Sequence, residues 1–158
     1  MLPKKDFIMR KFIALISLLT LSLSFAHQEI KIGDEYVLSC GKRNEPVYTG
    51  IPSGLELFIN TADGEPVSGM EESLQVELTS PTGTVVKYTA DGEYGPNSLW
   101  EPYWDETSKG TYNTSWILMT PGQYKVHITG FIGETEVDVF CDNEETWMLE
   151  DKSAIEIR

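Results

Sequence analysis

Few side chains in this sequence can do chemistry, and their positions limit what that chemistry is. There are two histidines, His27 and His127, and two cysteines, Cys40 and Cys141. His27 directly follows Ser24-Phe25-Ala26. If a peptidase cuts after Ala26, His27 presents an α-amine and an imidazole to one metal ion. Such a chelate suits Cu(II), which favours nitrogen ligands in tetragonal geometry. His127 is the remaining histidine, and with a nearby carboxylate the three nitrogens would form a histidine brace. The plainer alternative is a frayed terminus at His27 and a solvated strand residue at His127. Cys40 and Cys141 read as a disulfide if the chain is exported. A redox or metal-thiolate pair is the other option, but no CxxC spacing or second ligand cluster accompanies them. No GxSxG, HExxH, Walker or dinucleotide motif occurs, so an enzyme is not expected.

Export is written at the start of the chain. Lys4, Lys5, Arg10 and Lys11 form a positive segment, and an apolar run from Phe12 to Phe25 follows. Small residues at Ser24 and Ala26 complete a signal-peptidase site. The run is shorter than the about 20 apolar residues a membrane span needs. Residues 1–26 are therefore read as a cleavable signal peptide, with Met9 as a second possible start, and residues 27–158 as one domain. No second apolar stretch is present, so no membrane anchor is expected after cleavage, and the location is secreted or periplasmic. Removing residues 1–26 takes away four of the 12 basic residues and one of the 25 acidic ones, leaving a formal charge near −16. Such a surface repels nucleic acid and anionic lipid and concentrates cations. A soluble coat explains that charge without any ligand.

The elements that must position these residues are strands. Tyr36, Leu38 and Cys40 share one face, as do Leu55, Leu57 and Ile59. Leu74, Val76 and Leu78 alternate with Gln75, Glu77 and Thr79, and Val86 with Tyr88 continue after a turn. Tyr112, Thr114, Trp116 and Leu118 follow. Then come Tyr124, Val126 and Ile128, and finally Val137, Val139 and Cys141. This period of two marks half-buried strands. Asp63-Gly64-Glu65-Pro66, Pro81-Thr82-Gly83, Pro121-Gly122 and Ile132-Gly133 supply turn chemistry between the runs. The pattern predicts an all-β fold, a single antiparallel sandwich of about seven strands, immunoglobulin- or fibronectin-like. Both cysteines fall in phase with inward positions.

One connection is long. Residues 91–110 hold Tyr94, Trp100, Tyr103 and Trp104 among Glu93, Glu101, Asp105 and Glu106. Such a loop either binds a sugar or a partner segment through its rings or folds back to cap one end of the sandwich. Asn113-Thr114-Ser115 is a formal glycosylation sequon, but it lies inside a predicted strand. Cys141-Asp142-Asn143-Glu144-Glu145 is acidic without the ordered spacing of a calcium loop.

Several segments, in order, resemble a group of exported bacterial and archaeal sandwich proteins of unassigned role. Asn44-Glu45-Pro46-Val47-Tyr48-Thr49-Gly50 is similar to their NEPxYxG opening. Asp63-Gly64-Glu65-Pro66-Val67-Ser68-Gly69 is similar to their DGxPVxG turn. Leu99, Glu101-Pro102 and Gly110-Thr111-Tyr112 resemble a further stretch, and Thr120-Pro121-Gly122-Gln123-Tyr124 with His127 and Gly130 resembles PGxYxFHxxG. The tail from Thr146 to Ile157 resembles their closing segment. Members occur beside CopC-type copper-handling proteins and are akin to YtkA- and FixH-like sandwiches. The resemblance implies an accessory extracytoplasmic role connected with copper. The two cysteines, the long aromatic loop and the absence of a terminal membrane segment depart from the pattern. The expectation is thus a non-enzymatic binding or accessory module, taking a metal ion such as Cu(II) or a protein partner. The competing expectation is a structural or protein-interaction sandwich with no ligand of its own.

Overall fold

The alternating runs become the strands of two sheets that share one core. The computed structural model describes residues 27–90, 97–102 and 108–155. The strands are β1 (His27–Ile32), β2 (Tyr36–Arg43), β3 (Pro52–Thr61), β4 (Leu74–Thr79), β5 (Val85–Tyr88) and β6 (Thr111–Asn113). They continue as β7 (Trp116–Ile117), β8 (Gly122–Gln123), β9 (Lys125–Ile132), β10 (Thr135–Cys141) and β11 (Met148–Leu149). One helical turn, α1 (Glu144–Trp147), and a 3-10 turn at Lys152–Ile155 complete the named elements. None of them is long and apolar enough to cross a membrane.

The first sheet runs β1-β2-β3-β6, with β7 also pairing β3, and the second runs β10-β9-β4-β5. A small ribbon of β11 on β8 lies beside them, and all strand pairs are antiparallel. The expected alternating runs form strands of an all-β sandwich. The structure has more strands than expected, because β1 carries few apolar residues and β8 and β11 are only two residues long. In addition, the stretch Tyr112–Leu118 is divided into β6 and β7. The division has a local cause. The Thr114 carbonyl occupies the space where a Cβ on Gly54 would stand, and Thr114 Oγ1 accepts from Leu55 N at 3.0 Å. The chain therefore presses into β3 there and resumes pairing two residues later.

Leu38 and Cys40 of β2, with Leu55, Leu57 and Ile59 of β3, face Leu74, Val76 and Leu78 of β4 and Val126 and Ile128 of β9 across the core. Period-2 geometry puts every intervening residue on an outer face. Two devices close the side where β1 and β10 meet. Cys40 and Cys141, both fully buried, are joined in a disulfide. Beside it the Gln28 amide accepts from the backbone N–H groups of Asp142 and Asn143 (3.1 Å each) and donates to the Phe140 carbonyl at 3.3 Å. The β9–β10 hairpin turns on Gly133 at φ +61°, followed by Glu134, as a two-residue loop with glycine first requires.

The far end is capped by the described part of the long loop. Leu99 is in the core, and Trp100 exchanges backbone hydrogen bonds with Asn113 at 3.1 and 2.8 Å. Glu101 is buried. Its two oxygens accept from Gly110 N at 2.6 Å and Gly69 N at 3.0 Å, tying two loops together. Tyr94, Tyr103 and Trp104 lie outside the described residues. Asn113 of the sequon is buried under this cap.

Candidate functional site

The β1–β2–β3 register builds a site around His27. His27 pairs with Gly41, and Gly41 in turn pairs with Glu56, so three strands place the three residues in one row. Leu55, Leu57 and Cys40 are inward, which puts His27, Gly41 and Glu56 on the outer face. Two strand spacings separate β1 from β3, roughly 10 Å. The imidazole spans that distance only because the residue between has no side chain. Its Nε2 lies 3.2 Å from Glu56 Oε2. Phe58, two residues further along the same face of β3, packs on the ring with centroids 5.4 Å apart and a tilt of 59°. A glycine inside a strand often marks such a close approach.

With Nε2 directed at Glu56, a neutral imidazole donates Nε2–H to the carboxylate and leaves Nδ1 as the nitrogen with a free lone pair. Nδ1 is also the ring nitrogen nearer the residue's own backbone nitrogen. A carboxylate that fixes the tautomer in this way raises the basicity of the free nitrogen and orients it.

Beyond this row the charges continue. Lys42 faces inward at the end of β2 and is only 6% exposed, and its ammonium donates to the Met148 carbonyl at 2.7 Å. Burial holds its pKa below the ordinary lysine value, against the opposing pull of Glu45 and Glu150. Glu45 stands in the loop after β2, at the mouth of a pocket of about 450 Å³ that it shares with Lys42, Tyr48 and Glu150. Desolvation pushes its carboxyl up, and Lys42 and then His27 pull it down. His27, Glu56, Glu45 and Lys42 thus belong to one neighbourhood of alternating charge.

His127 is elsewhere. It sits on β9 between Phe140 of β10 and Glu77 of β4, on the outer face of the second sheet because Val126 and Ile128 point inward. Its Nε2 meets Asp138 Oδ1 at 2.6 Å, and its ring stacks on Phe140 with centroids 4.1 Å apart and 6° between planes. The two histidines therefore point away from each other, on the outer faces of opposed sheets, and share no partner. The structure does not bring them into one brace. Among the described residues no group of three or more His, Cys, Asp or Glu side chains stands in metal-holding arrangement.

Glu56, Gly41, Phe58, Glu45 and Lys42 escaped the sequence reading. Glu56 and Gly41 are unremarkable outward positions until the register aligns them with His27. The signal that could have found them is the pairing of a glycine next to Cys40 with an acid between Leu55 and Leu57. The chain matches no protein-family model and no characterised protein.

Proposed function

We propose that the mature protein is a non-enzymatic extracytoplasmic accessory module that holds one Cu(II) ion at His27. The observation that carries this reading is the His27–Glu56 contact across Gly41, which leaves Nδ1 available beside the residue's own backbone nitrogen. Cleavage after Ala26 turns that nitrogen into a free amine. Amine and Nδ1 then close a six-membered chelate ring on one metal ion, which a single exposed histidine inside a chain cannot offer. Glu45, exposed at the rim, supplies a carboxylate to the same neighbourhood. The charge near −16 concentrates cations around the domain without specifying one. The ordered resemblance of Asn44–Gly50 and the later segments to a copper-associated group points the same way. His127, held by Asp138 on the other sheet, is a separate imidazole in this scheme and not a ligand of the same ion. The strand order, β2-β3-β6 against β5-β4-β9-β10, we read as a fibronectin-type Greek key with β1 added at one edge.

The test is a Cu(II) titration of the mature protein alongside His27→Ala, Glu56→Gln and His127→Ala. His27→Ala should abolish the tight site, Glu56→Gln should weaken it about tenfold through the lost orienting carboxylate, and His127→Ala should leave it unchanged. A tight site that survives His27→Ala would exclude this function for His27.

A further inference from the structure

The side of the sandwich opposite the disulfide is open. There β5 ends one sheet, and β6 with β7 ends the other. Between them runs a groove of about 830 Å³, the size of a small-molecule site. Leu78, Val86 and Tyr88 line it from one sheet, and Trp116 and Leu118 from the other. Tyr88 and Trp116 meet edge to face across it, with centroids 5.7 Å apart. At the rim Ile117 is 56% and Met119 70% exposed, two of the most exposed large apolar side chains described. An apolar floor with apolar lips selects an apolar ligand body.

Two side-chain donors among the groove's lining residues suit an anionic head group. Arg43 lines it and is the one arginine among the described residues. Among the described residues no carboxylate pairs with it. Its Nη2 is held instead by Ser115 Oγ at 3.1 Å and the Ser53 carbonyl at 3.4 Å, and its buried Nε has no acceptor among the described residues. Trp116 is 7% exposed, and its Nε1–H is buried with no acceptor either. Two residues with orphaned buried donors along one groove are unusual, because buried polar groups are normally satisfied. One of them belongs to a guanidinium, whose planar fork matches a carboxylate. None of His27, Glu56, Glu45 and Lys42 lines this groove.

We propose that this groove binds an apolar monocarboxylic acid, its chain laid between Val86 and Leu118 and its carboxylate received by Arg43 and the Trp116 indole N–H. Calorimetry on the mature protein with decanoate below its micelle-forming concentration and decanol below its solubility limit tests it. Decanoate should bind saturably, and decanol should bind at least about tenfold more weakly, the margin expected of a charge-assisted pair. Arg43→Gln should bring decanoate down to the level of decanol, and Trp116→Phe should weaken decanoate more than decanol. Should Arg43→Gln fail to fold, Ile117→Asp at the exposed rim carries the test, since a new negative charge there must weaken decanoate while sparing decanol. Absence of saturable decanoate binding, equal affinity for acid and alcohol, or a rim acid without effect would each overturn the assignment.

Discussion

Removing the Cys40–Cys141 bridge should cost this domain more stability than any single substitution in its core. The two cysteines are 101 residues apart in the chain, so the bridge closes most of the domain into one loop. On the chain-entropy model a loop of that size restricts the unfolded state by about 4.7 kcal/mol at room temperature. A domain of roughly 130 residues unfolds with an entropy near 0.27 kcal/mol/K. The quotient is a fall in Tm of roughly 17 °C. Both residues are fully buried in the core, and Gln28 reinforces the same seam with three hydrogen bonds, so the folded state should change little. Cys40→Ala/Cys141→Ala is compared with the native protein by urea unfolding and by calorimetry at one pH. Reductant added to the native fold should leave the bridge intact until the domain opens, because both sulfur-bearing residues are shielded from solvent. A loss below about 1 kcal/mol, against the 0–5 kcal/mol range of such bridges, would refute the loop-entropy reasoning.

Three other perturbations read separate parts of the fold. Glu101→Ala should destabilise by about 1–3 kcal/mol, since it orphans the buried N–H of Gly110 and releases that of the exposed Gly69; urea midpoints within error of the native value would discount the clamp. Gly41→Val should keep the β spectrum by circular dichroism but separate His27 from Glu56, lowering Cu(II) affinity about tenfold; undiminished affinity would show that the glycine gap is irrelevant. Lys42 is held below its ordinary value of 10.5 by burial, so the unfolded chain binds its proton more readily than the folded one. Stability should then rise with pH as it approaches 10.5 from below, and Lys42→Met should flatten that slope. A slope unchanged by the substitution would locate its origin elsewhere.

The long alternating strands could be read directly because each buries one whole face. A residue such as Val76 between Gln75 and Glu77 announces both its conformation and its orientation. The disulfide was legible for the same reason, since Cys40 and Cys141 fall in phase with inward neighbours. Strand β1 was not: His27–Ile32 offers only Ile30 and Ile32 as apolar residues, and its place is set by backbone pairing with β2 and by the Gln28 amide. The break between β6 and β7 depends on the close approach of Thr114 to Gly54, which is a tertiary contact with no local signature. The candidate site shows the limit most clearly. His27 was visible as a candidate ligand, whereas its partners Gly41 and Glu56 are neighbours only through register, a property of strand pairing. His127 sat at an outward position from the start, and only the assignment of β9 to the second sheet separates it from His27.

The most direct test of His27 as the metal-binding residue compares two proteins by electron paramagnetic resonance with one equivalent of Cu(II). One begins at His27, and the other carries a single alanine before it. The extension leaves the imidazole and Glu56 untouched but converts the amine into an amide, so the chelate ring cannot close. The native terminus should give a tetragonal spectrum with nitrogen hyperfine structure that fades as pH falls, because protons compete with the metal for both nitrogens. The extended protein should lose that spectrum while keeping its circular dichroism and melting temperature. Identical spectra and equal affinities in the two would contradict a chelate at the His27 terminus.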